Sequence, residues 1–154
     1  PMARADLASQ LQKQIDASIA AGAQLLLGGQ AYAGAGNFYP PTVLANTGPG
    51  MAVFDEETFG PVAAITTAKD DADAIRLANA TPFGLSISIW TASESRGVTL
   101  AKQITSGAAF INAMTASDAR LPFGGTKKSG YGRELAAAGV REFTNIRTYW
   151  SAAR

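Results

Sequence analysis

The sequence contains no cysteine and no histidine. Without cysteine there is no disulfide framework and no thiolate to serve as nucleophile or metal ligand. Without histidine the usual general base is missing, and so is the commonest metal ligand, so no metal site is expected. Charge is sparse as well. Asp, Glu, Lys and Arg make up 16% of 154 residues, and 13 basic against 12 acidic side chains leave a net charge of +1. Such a chain lacks the one-signed field that gathers nucleic acid or an anionic membrane surface. No apolar run approaches the roughly 20 residues of a membrane-spanning helix, and no signal peptide is visible. These absences point to a cytoplasmic protein with neither nucleic acid nor membrane as partner.

What is present suits a globular chain. Hydrophobic residues make up 47% of the sequence, enough to bury a core. The length fits one domain or a piece of a larger one. Leu7, Leu11, Ile15 and Ile19 recur every four residues, which predicts a helix over residues 5–21, stopped by Gly22. Leu25, Leu26 and Leu27 read as a buried strand. Residues 28–37 are a Gly- and Ala-rich loop. No helix pattern follows Gly34-Ala35-Gly36, so it fails as a dinucleotide fingerprint. Pro40 and Pro41 mark residues 38–44 as an extended edge segment.

From residue 61 the pattern alternates. Strands are expected over residues 61–67, 85–89 and 108–111, with helices over 72–80 and from Ser93 to about Ile104. Asp70 or Asp71 caps the first of these helices and Ser93 the second. Strand, helix, strand, helix, strand argues for an α/β fold with parallel pairing and right-handed crossovers. A last helix is expected from Glu134 to Gly139, then a strand over residues 144–150, with no domain boundary before it.

Two stretches carry candidate chemistry. In Phe54-Asp55-Glu56-Glu57-Thr58-Phe59-Gly60-Pro61, a carboxylate, a ring and a Gly-Pro turn precede an apolar run. A carboxylate accepts hydrogen bonds from a diol, and a ring packs a flat heterocycle. By the residues alone a solvated turn is the favoured reading. In the second stretch, Phe123 lies between Pro122 and Gly124-Gly125, where the backbone can turn and approach closely.

Glu57-Thr58-Phe59-Gly60-Pro61 resembles the E-x-F-G-P motif of the aldehyde dehydrogenase superfamily. The stretch from Pro122 to Glu134 resembles that family's P-F-G-G-x-K-x-S-G-x-G-R-E. The resemblance covers nearly the whole chain and is strongest to the bacterial succinate-semialdehyde dehydrogenases, through residues 117–135 and 141–150. It implies a parallel βαβ sheet of an aldehyde dehydrogenase catalytic domain over residues 1–143 and an oligomerisation strand over 144–154.

The resemblance also implies roles. Glu57 would bind the nicotinamide ribose of NAD or NADP, with Phe59 against the nicotinamide. Phe123 would line the substrate tunnel. Ser117 would bind the remote carboxylate of succinate semialdehyde. Arg120 shares that loop and has a fork suited to a carboxylate, although no family residue matches it and Asp118 could neutralise it. Glu134 would lie near the active site, where it could help activate water. The family oxidises aldehydes through a cysteine thiolate, passes hydride to the nicotinamide and releases the acid with water. This sequence has no such cysteine. The expectation is a C-terminal portion of a homo-oligomeric enzyme, dimer or tetramer, inactive by itself. The rival is a non-catalytic assembly module.

Overall fold

Helix α1 spans Ala5–Ala20 in the computed structural model, which describes residues 1–153. Its buried stripe is Leu11, Gln14, Ile15 and Ser18, at the three- and four-residue spacing of one helical face. Gly22 ends it at φ +106°, with its N–H on the Ile19 carbonyl at 3.0 Å. A side chain is disfavoured in that conformation, which explains why glycine stands there.

Strands β1 (Gln24–Leu27), β2 (Thr42–Ala45) and β3 (Val62–Ala64) form a sheet in that order. β1 runs antiparallel to β2, with a register shift between Leu25 and Leu27. β3 runs parallel to β2, and the short helix α2 (Ala52–Asp55) lies in the crossover between them. The core lies here, formed by Leu11, Ile15, Ala23, Tyr39, Leu44 and Val53. Full burial of a Leu or Ile side chain contributes about 1.5–3 kcal/mol. A buried polar seam runs beside it: the Ser18 hydroxyl donates to the Gln14 carbonyl at 2.7 Å and accepts from the Val53 N–H at 3.0 Å. Helix α3 (Asp71–Ala80) follows, and the Asp70 carboxylate caps it by accepting from the Asp73 N–H at 2.8 Å.

The chain divides into two compact units, Pro1–Thr81 and the residues from Pro82 onward. In the second, β4 (Phe83–Gly84) pairs antiparallel with β7 (Thr126–Lys127). β5 (Ser86–Ile89) pairs parallel with β6 (Ala108–Ile111) across helix α4 (Glu94–Ala101), which Ser93 caps. Helix α5 spans Ala136–Glu142. Among the described residues, no apolar side chain of the fully buried core comes from this second unit.

Several sequence expectations need correction. Leu25, Leu26 and Leu27 form a strand, but they are 38%, 54% and 57% exposed, because β1 is the edge of its sheet. Residues 42–45 are the central strand, not an edge; Pro40 and Pro41 sit just before the ladder, where no proline N–H is needed. The alternating run is realised as two separate parallel pairs, β2–β3 and β5–β6, with antiparallel strands beside them. Residues 144–150 form no strand. A strand exists only through a hydrogen-bonded neighbour, and Ile146, Tyr149 and Trp150 are 95%, 80% and 85% exposed. Residue 154 lies outside the described residues.

Candidate functional site

In the first unit, the loop after α2 presents Glu57 and Phe59. α1 fixes it: the Gln14 amide donates to the Glu56 carboxylate at 2.9 Å and to the Glu57 carbonyl at 3.2 Å. Gly60 sits tightly against the same helix, and a Cβ there would run into the Leu11 side chain. The loop is therefore anchored by its backbone while the Glu57 side chain stays exposed. Among the described residues nothing hydrogen-bonds the Glu57 carboxylate, so its acceptor sites remain open. Phe59 is 63% exposed and takes no part in the core of this unit. One side of it meets a small recess with Met2, Leu7 and Pro61.

In the second unit, Phe123 and Glu134 are brought together by a two-bond bridge. Each N–H donates to the other's carbonyl at 2.8 Å. Glu134 is not at a helix start, contrary to the sequence reading; α5 begins at Ala136, after Leu135 turns the chain at φ +65°. The helix dipole therefore does not account for this carboxylate. Its side chain is exposed and makes no hydrogen bond among the described residues. Phe123 and Glu134 both line an apolar cavity of about 720 Å³, with Tyr131, Leu135, Val140 and Phe143.

The turn that carries Phe123 is clamped from three sides. Arg133 donates to the Gly125 and Gly132 carbonyls at 2.7 and 2.8 Å. The Ser129 hydroxyl accepts from the Gly84 N–H at 3.0 Å. A Cβ on Gly107 would collide with the Gly124 carbonyl, so the turn lies flat against the start of β6.

Ser117, Asp118 and Arg120 sit on the loop between β6 and that turn. Ser117 is exposed. The Arg120 guanidinium grips the Asp118 carboxylate through Nε and Nη2, at 3.0 and 2.7 Å, and the Arg120 backbone N–H adds a third bond at 2.9 Å. The guanidinium holds the Asp118 carboxyl below its ordinary pKa, followed by the backbone N–H. Asp118 and Phe123 line a second recess of about 260 Å³ with Phe110, Leu121 and Pro122. Asn112, at the end of β6, is structural: at φ +51° its amide bonds both the N–H and the carbonyl of Thr91.

The sequence reading missed Gln14 and Arg133. Gln14 had a visible signal, an amide on the apolar stripe between Leu11 and Ser18. Arg133 falls on the R of the resembled motif, but nothing local shows which carbonyls its long side chain will reach.

The aldehyde dehydrogenase family pattern matches residues 1–149, so the chain belongs to the aldehyde dehydrogenase family. It is 56% identical over 150 residues to a succinate semialdehyde dehydrogenase (NAD(P)+) of Escherichia coli K12, covering 97% of this chain and 32% of that protein. It is 48% identical over 152 residues to a succinate-semialdehyde dehydrogenase (NADP+) of Mycobacterium leprae, covering 99% of this chain and 33% of that protein. Among solved structures it resembles a succinic semialdehyde dehydrogenase of Streptococcus pyogenes in complex with NADP+, with a TM-score of 0.91, 34% identity, and coverage of 99% of this chain and 34% of the other. The chain thus spans about a third of the length of the curated relatives it matches.

Proposed function

We propose that this chain forms part of an NAD(P)-dependent aldehyde dehydrogenase that oxidises succinate semialdehyde to succinate. The observation that carries this reading is the 56% identity to the E. coli enzyme over 97% of the chain. Residues 1–143 would belong to its catalytic domain and 144–154 to a strand joining subunits of a cytoplasmic homo-oligomer.

The residues present fit a nicotinamide nucleotide. Glu57 offers an open carboxylate to the two hydroxyls of a ribose, and Phe59 offers an exposed ring face. NAD or NADP, when bound, supplies the hydride acceptor. Gln14 holds the loop that bears both side chains. Phe123 shapes the tunnel wall against which the aldehyde is oriented. Ser117 donates to the remote carboxylate of the substrate, and Arg120 stands on the same loop. Glu134, exposed beside Phe123, accepts a proton from the water that releases the acid. The thiolate that attacks the aldehyde carbon comes from outside these 154 residues, which hold no cysteine.

The assembly-module reading draws on a separate observation. Phe143, Ile146 and Trp150 are 94%, 95% and 85% exposed, surface suited to another polypeptide. One experiment separates the two. The chain alone, and the chain joined to a segment matching the remaining two thirds of its relatives, are each assayed with succinate semialdehyde and NAD or NADP. The chain alone should give no reduced cofactor and the completed enzyme should turn over. Turnover by the chain alone, or none by a folded, cysteine-bearing complete form, would overturn the proposal.

A further inference from the structure

We infer that Arg120 favours a carboxylate-bearing aldehyde by neutralising Asp118, and not by binding the substrate itself. This rests on the reading that the loop over residues 112–121 faces the remote end of the substrate.

The two members of the pair are placed differently. The Asp118 side chain is 33% exposed and the Arg120 side chain 87%. Asp118 lines the 260 Å³ recess that it shares with Phe110, Leu121, Pro122 and Phe123; Arg120 does not. Asp118 therefore borders an otherwise apolar recess, and Arg120 lies outside its lining. The pair is geometrically complete. Nε and one terminal nitrogen of the guanidinium are engaged by the two carboxylate oxygens, so that edge of the fork is held by Asp118. The carboxylate also accepts the Arg120 N–H, and the Asp118 carbonyl accepts the Leu121 N–H at 2.9 Å. Asp118 thus shapes the loop as well as charging it.

A carboxylate facing an apolar recess repels an anion more strongly than it would in water. Succinate semialdehyde would meet that repulsion and a neutral aldehyde of the same length would not. Arg120 cancels it. The charge that matters to the substrate is the sum of the pair, and the variant that changes the sum most harmfully is loss of Arg120.

The test uses the completed enzyme and four variants, Arg120→Gln, Arg120→Lys, Asp118→Asn and the double Asp118→Asn/Arg120→Gln. KM and kcat are measured for succinate semialdehyde and for butanal. Arg120→Gln should raise KM for succinate semialdehyde about three- to ten-fold with kcat and butanal unchanged, the effect of one uncancelled charge in a partly solvated recess. Added salt should shrink the rise. Arg120→Lys should restore most of the loss, and the double variant should return to the parent value. If the double variant keeps the full loss, Arg120 binds the substrate directly and the inference is wrong. Equal losses on both aldehydes, or no loss, also overturn it. If the parent enzyme itself treats the two aldehydes alike, the proposed substrate fails before any variant is made, and that result is distinct from the others.

Discussion

Gln14→Leu tests whether the first helix holds the candidate cofactor loop. Gln14 is 5% exposed and its amide makes two hydrogen bonds, to the Glu56 carboxylate and the Glu57 carbonyl. A bond to a charged group contributes about 1.5–3 kcal/mol and a neutral one about 0.5–1.5 kcal/mol. Leucine has nearly the same volume and gains some apolar burial, and the released Glu56 carboxylate is exposed and returns to water. The net loss should be about 1–2 kcal/mol, or a fall in Tm of about 3–6 °C for a chain of this size. In the completed enzyme the loosened loop should also raise KM for NAD or NADP about three- to ten-fold. The deciding measurement is a double-mutant cycle with Glu57→Gln. If Gln14 acts by holding Glu57 in place, the two changes together should cost clearly less than the sum of each alone. Strict additivity, with the expected loss of stability, would show that Gln14 supports the fold and leaves Glu57 independent of it.

Three further outcomes are expected. Glu57→Gln keeps the shape and removes the charge; a charge-assisted contact of about 1.5–3 kcal/mol should be lost, seen as slower hydride transfer in single-turnover kinetics, and unchanged kinetics would remove Glu57 from the site. Ser117→Ala should lower kcat/KM for succinate semialdehyde about ten-fold while sparing butanal, and equal losses would mean that Ser117 only shapes its loop. Deleting residues 144–154 should convert the assembled enzyme to monomer or aggregate on size exclusion with light scattering, because an exposed terminal segment bearing Ile146, Tyr149 and Trp150 is then absent; an unchanged oligomer would refute its role.

Where the physics is local, the signals in the sequence match the structure. α1 starts at Ala5 as its period requires, Asp70 and Ser93 cap the helices they precede, and β1 and β6 fall on the expected residues. Errors arose where the partner decides. Three leucines in a row signal a strand, but only sheet order shows that β1 is an edge. Pro40 and Pro41 suggest an edge, yet the ladder begins one residue later and runs centrally. The Asp118–Arg120 pair was foreseeable from its two-residue spacing. The place of Gln14 on the buried stripe was visible, but its partner Glu56, 42 residues later, was not, because a long-range hydrogen bond leaves no trace in local pattern.

The second unit shows the same limit most sharply. Leu85, Trp90, Val98, Leu121 and Val140 are all more than 40% exposed, although each is an apolar side chain of the kind that fills a core. Periodicity states that a side chain needs an apolar neighbour; it does not state which polypeptide segment supplies one. In the first unit the neighbours are present, and α1, β2 and α2 close over Leu11, Ile15, Leu44 and Val53. In the second, among the described residues, the only buried positions are glycines, Gly84, Gly97, Gly125 and Gly139, where backbone meets backbone or a neighbouring side chain. The candidate tunnel residue Phe123 and the candidate catalytic residue Glu134 are therefore positioned by hydrogen bonds and close backbone packing, not by an apolar core behind them. Such a site keeps its local geometry through the Arg133 and Ser129 clamps, while its walls depend on surfaces that these residues do not themselves provide.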